Sequence, residues 1–161
     1  MKNVYIASVN PMHFSHWNTL KEAKEKLNEK VYLCIGQNDL KDGGLFSLEE
    51  RAYIAHNFYG IPKEDIVLLF TKEIILEAIT NAKNIVRGIR SEKDLVEIEA
   101  ISKHYGVIEN SKKLFPIFVS DEMKEISSSK LIQKIKTGEY KPEDNWIPVE
   151  LLSLIKEKLK L

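Results

Sequence analysis

Five short apolar runs recur along the chain, and after each comes a stretch whose apolar residues return at helical spacing. Residues 3–7, NVYIA, are β-prone, and Trp17, Leu20, Ala23 and Leu27 then predict an amphipathic helix over 17–28. VYLCIG (31–36) is the second strand; SLEERAYIAHNF follows with Ser47 as cap and Glu50 three residues on, a capping box. DIVLLF (65–70) precedes EIILEAITNA (73–82), and KNIVRG (83–88) precedes SEKDLVEIEAISKHY (91–105). KLFPIFVS (113–120) precedes SSSKLIQKIKTG, which offers serines for an N-cap and Gly138 for its stop. A last helix starts at Pro148 and carries Leu151, Leu152, Ile155 and Leu159 on one stripe, suited to core or subunit contact. Nearly continuous apolar strands alternating with helices predict an α/β fold, a doubly wound five-stranded parallel sheet covered on both faces. In such folds ligands collect beyond the carboxyl ends of the strands, which selects loops 8–16, 36–46, 70–73 and 87–91.

Composition narrows the picture by exclusion. The 161 residues fit one domain over 1–161. Lys plus Arg equals Asp plus Glu at 24 each, so overall charge draws the chain to neither nucleic acid nor an anionic membrane. Any anionic ligand has to be held by a local site. The lone cysteine, Cys34, lies inside VYLCIG and reads as a small buried hydrophobe. Met1-Lys2-Asn3 runs directly into a strand, and no apolar run approaches the ~18 to 20 residues of a membrane span. A soluble, cytoplasmic protein is expected.

Three motifs at the same predicted sheet edge carry phosphate-compatible chemistry. In SVNPMHFSHW (8–17), Ser8 follows the strand, Pro11 stiffens the turn, and His13 and His16 flank the start of the helix. Unsatisfied N–H groups and the helix dipole favour an anion there; the alternative is an ordinary polar loop with Ser15 as cap and solvated histidines. In RGIR, Arg87 and Arg90 flank Gly88, which lets backbone approach a ligand, although Asp94 and Glu97 are nearby ion-pair partners. ISSSK (126–130) brings three hydroxyls and a fresh helix N-terminus to the same edge, or simply caps a helix.

Taken together, SVNPMHFSH, LFSLEER, RGIR, ISSSKLI and the closing IPVELLSLIKEKL resemble phosphopantetheine adenylyltransferases, of the nucleotidyltransferase superfamily with the (T/H)xGH motif. The family patterns are TFDPxTxGH, MFxxEER, RGLR and ISSSxVR, and order and spacing agree over essentially the whole chain. The resemblance implies a Rossmann-like nucleotidyltransferase fold and adenylyl transfer from ATP to 4′-phosphopantetheine, giving dephospho-CoA and pyrophosphate, with Mg2+ as cofactor. It assigns His16 to the transition state and Ser8 to both substrates. Val9, Gly88, Ile89, Arg90 and Glu99 fall to ATP, as do Met123, Lys124, Glu125, Ile126, Ser127, Ser128 and Ser129. Arg87, Lys41 and Ile74 fall to the acceptor. A homo-oligomer, a hexamer in the family, is implied as well.

The departures gather on the site. Asn10 stands where the family has aspartate, His13 where it has a small polar residue, and Ser15 where it has glycine. Lys41 comes one residue early, and Glu99 matches only after a one-residue insertion, strict counting giving Ile98. Two other readings therefore stand beside the first: a sibling nucleotidyltransferase with another phosphorylated acceptor, and a nucleotide-binding protein without catalysis.

Overall fold

The computed structural model describes residues 1–36, 44–104 and 113–161. Five strands, β1 (Lys2–Ala7), β2 (Val31–Gly36), β3 (Ile66–Leu69), β4 (Ala82–Ile89) and β5 (Leu114–Phe118), form one parallel sheet in the order β3-β2-β1-β4-β5. Between and after them lie α1 (Phe14–Leu27), α2 (Leu48–Tyr59), α3 (Lys72–Thr80), α4 (Glu92–His104), α5 (Ser128–Lys136) and α6 (Val149–Leu159). The chain builds outward from β1 to β3, then returns to the other side of β1 with β4. Strand order thus reverses between β1 and β4, the place in open α/β sheets where a crevice forms beyond the carboxyl ends.

The apolar runs read as continuous because both faces of the sheet are covered. Leu33 and Ile35 of β2 join Leu20, Ala23, Ile54, Ala55, Leu131, Leu151 and Ile155 in the larger core. Their neighbour Cys34 turns the opposite way, into a smaller core with Val4, Leu69, Ile75 and Ile79, as the pleat of a strand requires. Burial pushes the Cys34 thiol up to about 11, which fits the inert packing role read from its surroundings. Pro116 sits inside β5, tolerated because this edge strand pairs only with β4.

Boundaries move where tertiary contacts outrank periodicity. Ser47 closes the predicted box, accepting from the Glu50 N–H at 3.1 Å while the Glu50 carboxylate accepts from the Ser47 N–H at 2.9 Å. Helix α1, however, begins three residues before the predicted Trp17, with extended His13 as its N-cap. Ser15 therefore does not cap; it is buried in the first turn. That turn shows no apolar period because two of its residues, Ser15 and His16, are polar.

Arg51, buried to 4 % exposure, ties the strand ends together. Its Nε donates to the Phe46 carbonyl at 3.0 Å, and its Nη1 donates to the Ser8 carbonyl at 2.9 Å and the Gly36 carbonyl at 3.4 Å. Arg51→Met keeps volume but strips a donor from four carbonyls, those of Ser8, Gly36, Phe46 and Ser47, and should cost about 2 to 4 kcal/mol. A urea titration checks this: an unchanged midpoint would mean that water or another donor replaces the guanidinium.

Candidate active site

The loop between β1 and α1 is irregular backbone at the crevice, so its polar groups need partners from elsewhere. Distant elements supply them. Arg51 holds the Ser8 carbonyl, Ser128 Oγ donates to the Pro11 carbonyl at 2.8 Å, and Tyr59 Oη donates to the Met12 carbonyl at 2.6 Å. Burial pushes the Tyr59 phenol up, so it remains a donor. The Phe14 N–H donates to the Trp146 carbonyl at 2.8 Å. Val9, 2 % exposed, takes a left-handed conformation with φ +42°, and the Asn10–Pro11 peptide is cis.

This loop delivers His16 in a defined state. Its Nδ1 accepts from the His13 N–H at 3.2 Å, so in the neutral ring the proton lies on Nε2. The two imidazoles stack, centroids 3.7 Å apart and planes 17° from parallel. His13 is 4 % exposed rather than solvated, and burial, then His16 and Arg90, push its basicity well below the ordinary value. Its Nδ1 is buried with no hydrogen-bond partner.

The predicted arginines diverge in role. Arg87 Nη1 donates to the Ile6 carbonyl at 2.9 Å, which sets its guanidinium against the end of β1. Arg90 is fastened to both Asp94 and the ISSS segment: its N–H reaches Asp94 Oδ2 at 2.6 Å, its Nη2 Asp94 Oδ1 at 3.4 Å, and its Nη1 the Ile126 carbonyl at 3.0 Å. Burial alone would raise the Asp94 carboxyl, but the Arg90 bonds outweigh it and hold it below its usual range. Between the arginines, a Cβ on Gly88 would lie 3.1 Å from Thr19 Oγ1 and 3.5 Å from its Cγ2. That glycine lets α1 approach β4, so packing alone already requires a bare backbone at this position. Ile89 is buried and its carbonyl accepts from the Val119 N–H at 2.9 Å.

The serine segment is equally committed. Ser127 caps α5, its Oγ accepting from the Lys130 N–H at 3.1 Å, and Ile126 is buried, while Ser129 is exposed in the first turn. Ahead of them, Met123 Sδ accepts from Asn18 Nδ2 of α1 at 2.7 Å, Lys124 pairs with Asp121 and Glu125 with Lys130. These bonds tie residues 123–128 to the β1–α1 loop through Ser128 and Pro11, to α1 through Met123 and Asn18, and to the end of β4 through Arg90 and Ile126. Ile74, 38 % exposed, lies on the first turn of α3 after β3. Glu99 is exposed on α4 and pairs with Lys103, and Lys41 lies outside the described residues. An open, shallow cleft of about 590 Å³ is lined by residues 44–51, Phe70 and Lys158.

Of four residues that shape the site, sequence reasoning names Asn10 and His13 as departures from the family pattern without giving them a role, and passes over Arg51 and Tyr59. For His13 the signal was available, since His13-Phe14-Ser15-His16 fits (T/H)xGH in its histidine form, with serine in the glycine position. For the others no local pattern exists, because their partners lie 36, 43 and 47 positions away.

None of the helices formed by described residues is long and apolar enough to cross a membrane. A cytidylyltransferase-like family model matches residues 4–134. The phosphopantetheine adenylyltransferase of Streptococcus suis (strain 05ZYH33) is 24% identical over 146 residues, covering 87% of this chain and 89% of that protein. Two structures of Plasmodium falciparum nicotinic acid mononucleotide adenylyltransferase, complexed with NaAD and with APC, superpose with TM-scores of 0.61 and 0.60. They are 18% and 16% identical, and each comparison covers 100% of this chain and 97% of the other. With the β1–β4 crevice, the His13–His16 pair and a family match spanning all five strands, the chain belongs to the cytidylyltransferase-like family of nucleotidyltransferases.

Proposed function

We propose that the chain transfers the adenylyl group of ATP to 4′-phosphopantetheine, giving dephospho-CoA and pyrophosphate. The observation that carries this reading is His16, held in the first turn of α1 after β1, its Nδ1 accepting from the His13 N–H, which in the neutral ring leaves Nε2–H as a donor. The S. suis relative supports the choice of acceptor. In the reaction an acceptor phosphate oxygen bonds to the α-phosphorus of ATP as the bond from that phosphorus to the bridging oxygen breaks. The nucleophile is already an anion, so the chain needs no strong base. It supplies position and positive charge.

Each residue follows from that demand. His16 donates through Nε2–H to the crowded α-phosphoryl oxygens, and Ser8 lies between donor and acceptor. Arg87 holds the acceptor phosphate, with Ile74 lining its arm and Lys41 meeting both phosphates. Val9, Gly88, Ile89 and Arg90 line the nucleotide, with Glu99 at its edge. Residues 123–129 lie over the triphosphate, the N–H groups at the start of α5 receiving the β- and γ-phosphates. Magnesium belongs to the substrate as the ATP complex.

A second acceptor class has its own support. Both structural neighbours act on a mononucleotide, and His13 takes the histidine form of the motif. Pyrophosphate release should therefore be followed with ATP and Mg2+ against 4′-phosphopantetheine and nicotinic acid mononucleotide in parallel. Release only with the first supports the leading reading, release only with the second replaces it, and ATP binding without release leaves a non-catalytic binding protein. In the active pairing His16→Ala should lower kcat about a hundred- to a thousandfold. Arg87→Ala should raise KM for the acceptor far more than for ATP; equal changes would count against its assignment.

The histidine pair also sets an acid limit. The folded His13 resists protonation, whereas the unfolded chain takes up that proton near the ordinary value of 6.5. Above that pH both states are neutral and the full stability is present; it is lost as pH falls from there toward the depressed folded value. The urea midpoint should thus fall between about pH 7.5 and about pH 5.5, and fall less in His13→Asn. Parallel slopes for the two proteins would remove His13 from the account.

A further inference from the structure

Asn10 makes contacts that an aspartate at the same place does not reproduce. Its Oδ1 accepts from the Phe46 N–H at 2.9 Å, and its Nδ2 donates to the Phe46 carbonyl at 3.3 Å. One amide thus satisfies both backbone groups of one residue 36 positions away. A carboxylate keeps the first bond and turns the second into two acceptors facing each other. Phe46 is also where Arg51 Nε donates, and Arg51 Nη1 holds Ser8. The ring closes: Ser8, Val9 and Asn10 are pinned at both ends to the approach of α2, and between the pins sits Val9 with its positive φ.

Gly44 completes the arrangement. A Cβ there would fall on the Asn10 amide itself, overlapping both Nδ2 and Cγ. Its backbone is outside the left-handed region, so conformation alone would admit alanine. The glycine is matched to the side chain of residue 10. Gly44 and Phe46 are in addition part of the wall of the 590 Å³ cleft, so whatever shifts that wall acts on the loop that carries His16.

We propose that Asn10 is a positioning residue for adenylyl transfer, its side-chain amide locking loop 8–13 and His16 to the cleft wall at Gly44–Ser47, with Gly44 kept bare to admit it. The kinetic arm rests on the function proposed above; the lock itself is readable without turnover. Four variants test it: Asn10→Ala, Asn10→Asp, Gly44→Ala and the Asn10→Ala/Gly44→Ala pair. Hydrogen exchange at the Phe46 amide should quicken about tenfold in Asn10→Ala and in Gly44→Ala, yet stay slow in Asn10→Asp, which retains an acceptor. The kcat should drop between about tenfold and about a hundredfold in all three single variants, with KM for ATP moving much less, as misplacement of His16 requires.

The paired variant decides between a lock and two unrelated defects. With Asn10 cut back to its Cβ, 3.2 Å from where the new methyl would sit, the overlap with the amide is gone and only a shift of about a few tenths of an ångström is left, so the pair should be close to Asn10→Ala alone in exchange, kcat and thermal midpoint. Should Gly44→Ala fail to fold, adding Asn10→Ala should restore the fold. Additive losses, or an unfolded pair, would overturn the proposal. So would a Gly44→Ala protein with Phe46 still protected. If the wild type shows no transfer with either acceptor, the exchange and melting results still stand or fall on the lock alone.

Discussion

A loop that must be irregular to face a ligand leaves backbone groups without helix or sheet partners, and here almost everything at the site depends on how residues 8–14 solve that problem. Their carbonyls and N–H groups are taken by Arg51, Tyr59, Ser128 and Trp146, from α2, α5 and the segment before α6. Each such bond contributes on the order of 1 kcal/mol, but leaving a buried group unpaired costs more than the bond contributes. The elements that converge on the loop are therefore bound to one arrangement of it. Val9 in a left-handed conformation persists because both neighbours are held.

The same logic explains why His16 is ready as a donor. A histidine on a helix in solvent exchanges tautomers, whereas here the His13 N–H faces Nδ1 and settles the proton on Nε2. The stacked, buried, neutral His13 ring limits the orientations open to its neighbour. His13 is thus capping backbone and packing surface at once, which accounts for a buried imidazole that the sequence left unexplained.

Legibility followed the range of the interactions. All five strands and six helices could be read because their signals are local: apolar runs, helical spacing, the Ser47–Glu50 box and Gly138 with its φ of +74°. The carboxyl edge of the sheet, where loops 8–16 and 87–91 fall, could be read too, since it follows from parallel strands alternating with helices rather than from any one residue. What escaped were pairings across 36 or more positions, such as Asn10 with Phe46 and Arg51 with Ser8. Gly88 was legible as a close approach but not as an approach to Thr19, because a missing side chain does not say which neighbour it makes room for. The start of α1 was missed for a related reason: its first turn is specified by what covers it.

An electrically neutral chain can still select an anion if its ties orient cations without cancelling them. Arg90 is charge-matched by Asp94, so it contributes shape, bridging β4 to the Ile126 carbonyl, more than field. Arg51 and Arg87 are oriented by carbonyl oxygens, which fix a guanidinium while leaving its formal charge in place. Arg51 is sealed beneath the loop, so its charge acts through the Ser8 and Phe46 peptides, while Arg87 stands at the end of β1 beside them. Asn10 adds to this imbalance. Where a carboxylate would have offset one of these cations, an amide holds the loop by hydrogen bonds alone, so anchoring the loop leaves the positive charge of Arg51 and Arg87 undiminished.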